Sequence, residues 1–133
     1  MVLLKNPYSQ KLNKRPRRAR TEQYLQQACV QFMANQYPKV LCVHTPNGGI
    51  RDKGTARILK GMGVVAGFPD LFIYKPNVDF HGLAIELKSQ RGKPTANQLA
   101  IKDRLENAGY KYKIVRDVSE FIKEVENYLS KKF

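Results

Sequence analysis

Gly67-Phe68-Pro69-Asp70-Leu71-Phe72-Ile73-Tyr74 and, beyond a Pro76-Asn77 turn, Gly82-Leu83-Ala84-Ile85-Glu86-Leu87-Lys88 are the stretches on which the fold of this chain turns. Each is a short apolar run bounded by turn-forming residues, the pattern of a buried strand. The spacing predicts strands over 70–74 and 82–88, joined as a hairpin with a loop of moderate length. In the second run, the pleat sends Leu83, Ile85 and Leu87 to one side and Ala84, Glu86 and Lys88 to the other. Glu86 and Lys88 therefore share a face. If the neighbouring strand presents Asp70 to that face, two carboxylates and an amine converge, a set suited to a hard cation such as Mg²⁺ beside a charge stabiliser. Spacing leaves one alternative open, an ordinary ion pair of Lys88 with either acid on a solvated sheet face.

Upstream, Thr21 is a candidate N-cap, and Leu25, Ala28, Cys29, Phe32 and Met33 recur at helical spacing, predicting a helix over 22–36. Glu22 falls on the phase of that apolar stripe. Burying it is costly without a cation nearby, although it also reads as a first-turn carboxylate favoured by the helix dipole. Val40 to His44, between Pro38 and Pro46, predicts a short buried strand, and Asn47-Gly48-Gly49 turns the chain. Arg51, Lys53, Arg57 and Lys60 then surround a possible short helix over 55–60, which Gly61, Gly63 and Gly67 interrupt. Downstream, Thr95-Ala96-Asn97-Gln98 has the capping-box pattern, with Gln98 as its third helical residue, and the helix runs through Ile101, Leu105 and Ala108 to Gly109. Tyr110 to Val115 alternates like a strand. Asp117 or Ser119 caps a last helix with Phe121, Ile122, Val125 and Leu129 facing inward. The order αβ(α)ββαβα indicates an α/β fold with a mixed central sheet flanked by helices.

At 133 residues, 42% of them hydrophobic, the chain suits a single core. Lys and Arg total 24 against 11 Asp and Glu, a net +13, and such an excess attracts a polyanion, with nucleic acid the foremost candidate. The charge is uneven. Residues 1–20 hold Lys5, Lys11, Lys14, Arg15, Arg17, Arg18 and Arg20 and no acid, and they read as a basic arm ahead of a domain over 21–133. A solvated tail without a partner is the alternative. Pro7, Pro16 and the absence of an amphipathic period argue against a membrane-surface helix in this arm. No run of about 18 apolar residues spans a membrane, and the charged N-terminus lacks a signal peptide's apolar stretch, so a soluble intracellular protein is expected. Cys29 and Cys42 lack the partners of a zinc site or disulfide framework and read as core residues. Gly61-x-Gly63-x-x-Ala66 has dinucleotide-loop spacing but precedes a strand where it should follow one, so no nucleotide cofactor is expected. His44 and His81 stand alone. Tyr110 and Tyr112, interleaved with Lys111 and Lys113, could stack on bases but read more simply as a half-buried edge strand.

Taken in order, Gly67-Phe68-Pro69-Asp70-Leu71, Ile85-Glu86-Leu87-Lys88 and the helical Gln98 resemble the PD-(D/E)XK nuclease signature, with fifteen residues separating Asp70 from Glu86. Glu22 on the first helix, Pro46-Asn47 after a strand and the basic glycine-rich segment make the pattern similar to the VRR-NUC family, over roughly residues 21–129. The resemblance implies a restriction-endonuclease-like core. It implies metal binding by Asp70, Glu86 and the Leu87 carbonyl, with Glu22 in the metal's shell or on a second ion. Lys88 would position or deprotonate the attacking water, and Gln98 would support the site. The implied activity is Mg²⁺-dependent cleavage of DNA, with Mn²⁺ also serving, on branched, flap or four-way-junction substrates and leaving 5′-phosphate. The implied setting is the cytoplasm of a bacterial or phage-infected cell. Paired incisions call for two subunits, so a homodimer is expected. Arg15, Arg17, Arg18, Arg20, Arg51, Lys53, Arg57 and Lys60 are the DNA-binding candidates, since their charge can neutralise phosphates. The competing readings are a catalytically inert DNA-binding module and a sequence-specific restriction-type endonuclease.

Overall fold

The computed structural model describes residues 17–46 and 52–133, with side chains from Thr21 onward. Eight elements follow one another: α1 (Arg17–Gln36), β1 (Cys42–His44), α2 (Lys53–Gly61), β2 (Leu71–Ile73), β3 (Leu83–Leu87), α3 (Ala96–Asn107), β4 (Lys111–Val115) and α4 (Val118–Ser130). The strands lie side by side in the order β1-β2-β3-β4. β1 and β3 both run antiparallel to β2, whereas β4 runs parallel to β3. A parallel neighbour needs a crossover, and α3 supplies it. The expected mixed sheet flanked by helices is what the chain forms.

The pleat divides the core in two. Leu71, Ile73, Leu83, Ile85, Leu87 and Val115 face Cys29 and Met33 of α1 and Phe121, Val125 and Tyr128 of α4. Phe72, Ala84 and Tyr112 face the other way, towards Phe68 and Leu105. Leu71, Ile73, Leu83 and Ile85 are each fully buried, and each such side chain contributes about 1.5–3 kcal/mol of transfer free energy. β3 is buried along its whole length, so a charged residue within it is necessarily out of water. The hairpin loop after β2 is fixed by Asn77, whose Oδ1 accepts from the Asp79 and Phe80 amides at 2.8 Å and whose Nδ2 donates to the Tyr128 carbonyl at 3.1 Å.

Two expectations need correction. The first helix begins at Arg17 rather than near residue 22, so Thr21 is not its cap. Arg17, Arg18 and Arg20 fall within this helix, and Arg and Ala are both good helix formers. The strand expected over 40–44 is shorter and is an edge, not a buried strand. Its apolar run alternates: Val40 and Cys42 pack against the core, while Leu41 and Val43 face solvent. Tyr112 is buried beside Phe72 and Ala84, which removes it from base stacking, and Lys111 and Lys113 pair with Glu124.

Elsewhere local chemistry reads through. Thr95 forms the capping box with Gln98, Asp117 caps α4, and Gly109 ends α3 with φ +91°. Cys29 and Cys42 are free thiols, one buried and one half-buried. Burial pushes Cys29 up to about 12 and Cys42 to about 11, which leaves both unreactive. Among the described residues, no helix is long and apolar enough to cross a membrane.

Candidate active site

Asp70 immediately precedes β2, and the register Leu71↔Ile85 sets it level with Glu86 of β3. Its Oδ2 accepts a hydrogen bond from the Leu87 amide at 2.9 Å. Lys111 N donates to Gly82 O, and Lys88 N donates to Val115 O, so even-numbered residues of this strand turn their backbone groups to β4. Leu87, being odd, turns its own towards the β2 side, where Asp70 stands. The Asp70 carbonyl is held from β1 by the Thr45 amide at 3.1 Å and by His44 Nδ1 at 2.8 Å. Because that partner is a carbonyl, Nδ1 carries the hydrogen.

Glu86 is 3% exposed. Its Oε1 accepts from Gln98 Nε2 at 3.0 Å and lies 4.0 Å from Lys88 Nζ. Its Oε2 is buried and meets no donor among the described residues. Burial pushes the Glu86 carboxyl up to about 9; the neighbouring Asp70 carboxylate adds to the rise, and Lys88 opposes it. The same burial and the same two acids push the Tyr112 phenol upward. Two carboxylates thus share a water-poor site with one amine at the limit of pairing distance. This frustrated, oxygen-rich set, with an orphaned carboxylate oxygen, fits a divalent cation.

Gln98 serves two purposes with one amide. Its Oε1 accepts from the Thr95 amide at 2.9 Å and closes the capping box, while its Nε2 reaches Glu86. Helix start and site are therefore one hydrogen-bonded unit. Glu22 approaches from α1, half-buried, and its Oε1 accepts from the Ser89 amide at 3.1 Å. Among the described residues, no three His, Cys, Asp or Glu side chains gather closely enough to hold one ion. Asp70 and Glu86 are thus the close pair, with Glu22 outside it.

Gly67 carries α3 to the sheet. Its φ is +80°, and an added Cβ would stand 2.6 Å from the Asn97 carbonyl carbon and 2.7 Å from the Gln98 amide nitrogen. Backbone cannot yield as a flexible side chain does, so Gly67→Ala must push the start of α3 outward and pull Gln98 from Glu86. We expect it to cost about 2 kcal/mol or more, since the left-handed conformation alone costs roughly 1–2 kcal/mol. Denaturant unfolding measures this, and an unchanged midpoint would show that α3 does not bear on Gly67.

Of the basic candidates, Lys53, Arg57 and Lys60 are exposed on α2, where their spacing places them on one helical face. Arg17, Arg18 and Arg20 lie in the first turns of α1, while Arg15, Arg51 and the Asn47-Gly48-Gly49 turn fall outside the described residues. Two residues next to the site carry no local signature in the sequence. One is His44, and the other is Arg116, whose guanidinium reaches the loop that follows Lys88.

No family model matches the chain, and no curated protein does. Solved structures do. One described as "VRR_NUC domain protein" superposes with a TM-score of 0.73 at 26% identity, covering 84% of this chain and 90% of that one. A second, described as "VRR_NUC domain", has a TM-score of 0.55 at 19% identity over 81% of this chain and 97% of that one, a likeness of fold. The expected restriction-endonuclease-like core agrees with both. The ordered Pro69-Asp70, Glu86-x-Lys88 and Gln98, their convergence at one end of the sheet and the shared architecture support a VRR-NUC family assignment.

Proposed function

We propose that the protein is a metal-dependent endonuclease that hydrolyses phosphodiester bonds in DNA at the Asp70–Glu86–Lys88 site. One observation carries this reading: a buried glutamate with an unsatisfied oxygen is held against a second carboxylate. An inert ion pair would have its buried groups satisfied, because leaving them unpaired costs about 1–3 kcal/mol each. That supports this reading over a DNA-binding module in which the same residues merely pair.

In this reading Asp70, Glu86 and the Leu87 carbonyl hold Mg²⁺ or Mn²⁺, and Glu22 stands in the outer shell or on a second ion. When bound, the ion supplies polarisation of the scissile phosphate and an activated water. Gln98 fixes the orientation of Glu86, and the Leu87 amide fixes that of Asp70. Lys88 would orient the attacking water and balance charge as the water's oxygen bonds to phosphorus and the P–O3′ bond breaks; the water's proton passes to solvent and the 3′-oxygen takes one from solvent, leaving a 5′-phosphate and a 3′-hydroxyl. Two shallow hollows of about 250 and 390 Å³ include none of these side chains.

Branched, flap or four-way-junction DNA is the substrate we propose, with the basic arm and Lys53, Arg57 and Lys60 supplying affinity. The test is a panel of labelled linear, flap and four-way DNAs incubated with Mg²⁺, Mn²⁺, Ca²⁺ or EDTA. Cleavage of branched substrates in Mg²⁺ or Mn²⁺, abolished by EDTA, is expected; binding without cleavage under every condition would leave the inert-module reading standing. Paired incisions require two sites, so the active form we propose is a homodimer. Exposed Ile58 and Met62, on the side of α2 opposite its cations, offer apolar surface for that contact. Mixed dimers of wild-type and Asp70→Ala subunits are expected to nick one strand of a four-way junction where wild type cuts both. A monomer in sedimentation that still makes paired cuts would refute the dimer.

A further inference from the structure

Directly after β3 the chain runs Lys88-Ser89-Gln90-Arg91-Gly92-Lys93, with three cations and no acid. This loop is tightly tied. Arg116, just past β4, donates from one guanidinium nitrogen to the carbonyls of Ser89 at 2.8 Å, Gly92 at 2.6 Å and Gln90 at 3.4 Å. The Gly92 amide closes a turn onto the Ser89 carbonyl at 3.0 Å, and Gln90 Nε2 reaches back to the Arg116 carbonyl at 3.5 Å. Glu22 also accepts from the Ser89 amide, at 3.1 Å. Hydrogen bonds to a charged donor are about twice as strong as neutral ones, so this clamp is costly to open. The carbonyls turn inward to Arg116, Gly92 is buried against it, and Arg91 and Lys93 are left exposed.

We propose that residues 89–93 form a phosphate-binding loop for the DNA strand flanking the scissile bond, with Arg91 and Lys93 as its contacts and Arg116 as the residue that positions them. The inference rests on the nuclease reading for the location of the scissile bond. Arg91 lies three residues beyond Lys88, at most roughly 10 Å of extended chain, so its guanidinium stays within reach of phosphates next to the one being cut. A free loop would lose conformational entropy on gripping DNA, and a loop already held by three carbonyl contacts has lost most of it beforehand. Arg116 itself has its near nitrogen saturated by these carbonyls, so it acts through the loop.

Full-length wild type, Arg91→Ala/Lys93→Ala and, as a control of equal charge change on α4 and the C-terminus, Lys123→Ala/Lys132→Ala are compared for binding to a labelled flap duplex in EDTA across a salt series. The loop pair is expected to weaken binding roughly tenfold and to flatten the log Kd against log salt slope by about 2, from two lost phosphate contacts, with the control pair changing neither. Trypsin adds a second readout at the Arg91–Gly92 bond. DNA should protect it in wild type. Arg116→Ala should open it roughly tenfold faster in free protein, the equivalent of one or two lost hydrogen bonds, and Arg116→Lys should fall between. An unchanged slope for the loop pair, an equal effect of the control pair, or no DNA protection at Arg91 overturns the proposal. Loop-dependent binding by a wild-type protein that cuts nothing in Mg²⁺ would refute the nuclease reading alone.

Discussion

Alanine at Asp70, Glu86 or Lys88 is expected to lower Mg²⁺-dependent cleavage by roughly a thousandfold or more while leaving DNA affinity within about threefold, since a site that stabilises the transition state is worth that much and affinity comes from surface cations. Each residue fails for its own reason. Asp70→Ala removes both a carboxylate and the acceptor of the Leu87 amide, so Asp70→Asn, which keeps an acceptor oxygen, separates loss of charge from loss of geometry. Glu86→Ala empties the middle of a fully buried strand and releases Gln98 Nε2. Lys88→Ala removes the cation that stands 4.0 Å from Glu86 and deepens the carboxylate excess. Single-turnover cleavage and equilibrium binding, measured on the same flap substrate, distinguish the two effects. Cleavage that survives in all three variants would move the chemistry elsewhere.

In the absence of metal, Glu86→Gln and Asp70→Asn are both expected to melt above wild type at pH 8, by several degrees, at about 4 °C for each kcal/mol recovered. The Glu86 carboxyl sits at about 9 in the fold against 4.5 for the ordinary group, because it is buried and faces Asp70. Between those values the folded protein holds a proton that the unfolded chain has released. Stability is therefore fullest below about 4.5 and declines as pH rises towards 9. Glu86→Gln removes the titrating group, so its advantage should be large at pH 8 and vanish near pH 4.5. Asp70→Asn removes the neighbouring charge and should shrink the same slope. Mg²⁺ at pH 8 should raise the melting temperature of wild type and not of Asp70→Asn, and its binding should release a proton. A wild-type melting temperature that is flat with pH, or variants that melt lower at pH 8, would show that the two acids do not burden one another.

Much of the site is legible in the sequence because it is written in short-range periodicities. The pleat alone put Glu86 and Lys88 on one face and Leu83, Ile85 and Leu87 on the other, and the core packs that way. Thr95 and Gln98, three residues apart, announce a capping box because the first helical turn brings them together. What the sequence by itself determined, then, is what depends on residues within a turn or two of each other: the strands of the central hairpin, the last two helices with their caps at Thr95 and Asp117, and the faces they present. Tertiary structure decided the rest. Whether Val40 to His44 was central or an edge depends on how many strands lie beyond it, and Leu41 and Val43 proved to face solvent. That Gln98 would spend its other amide end on Glu86 depends on Gly67 letting α3 come within backbone contact of the strand approach. His44 on the Asp70 carbonyl and Arg116 on the loop after Lys88 join residues 26 and 27 positions apart. No local pattern encodes such a pairing, because its energy comes from an arrangement of acceptors that exists only once the sheet has assembled.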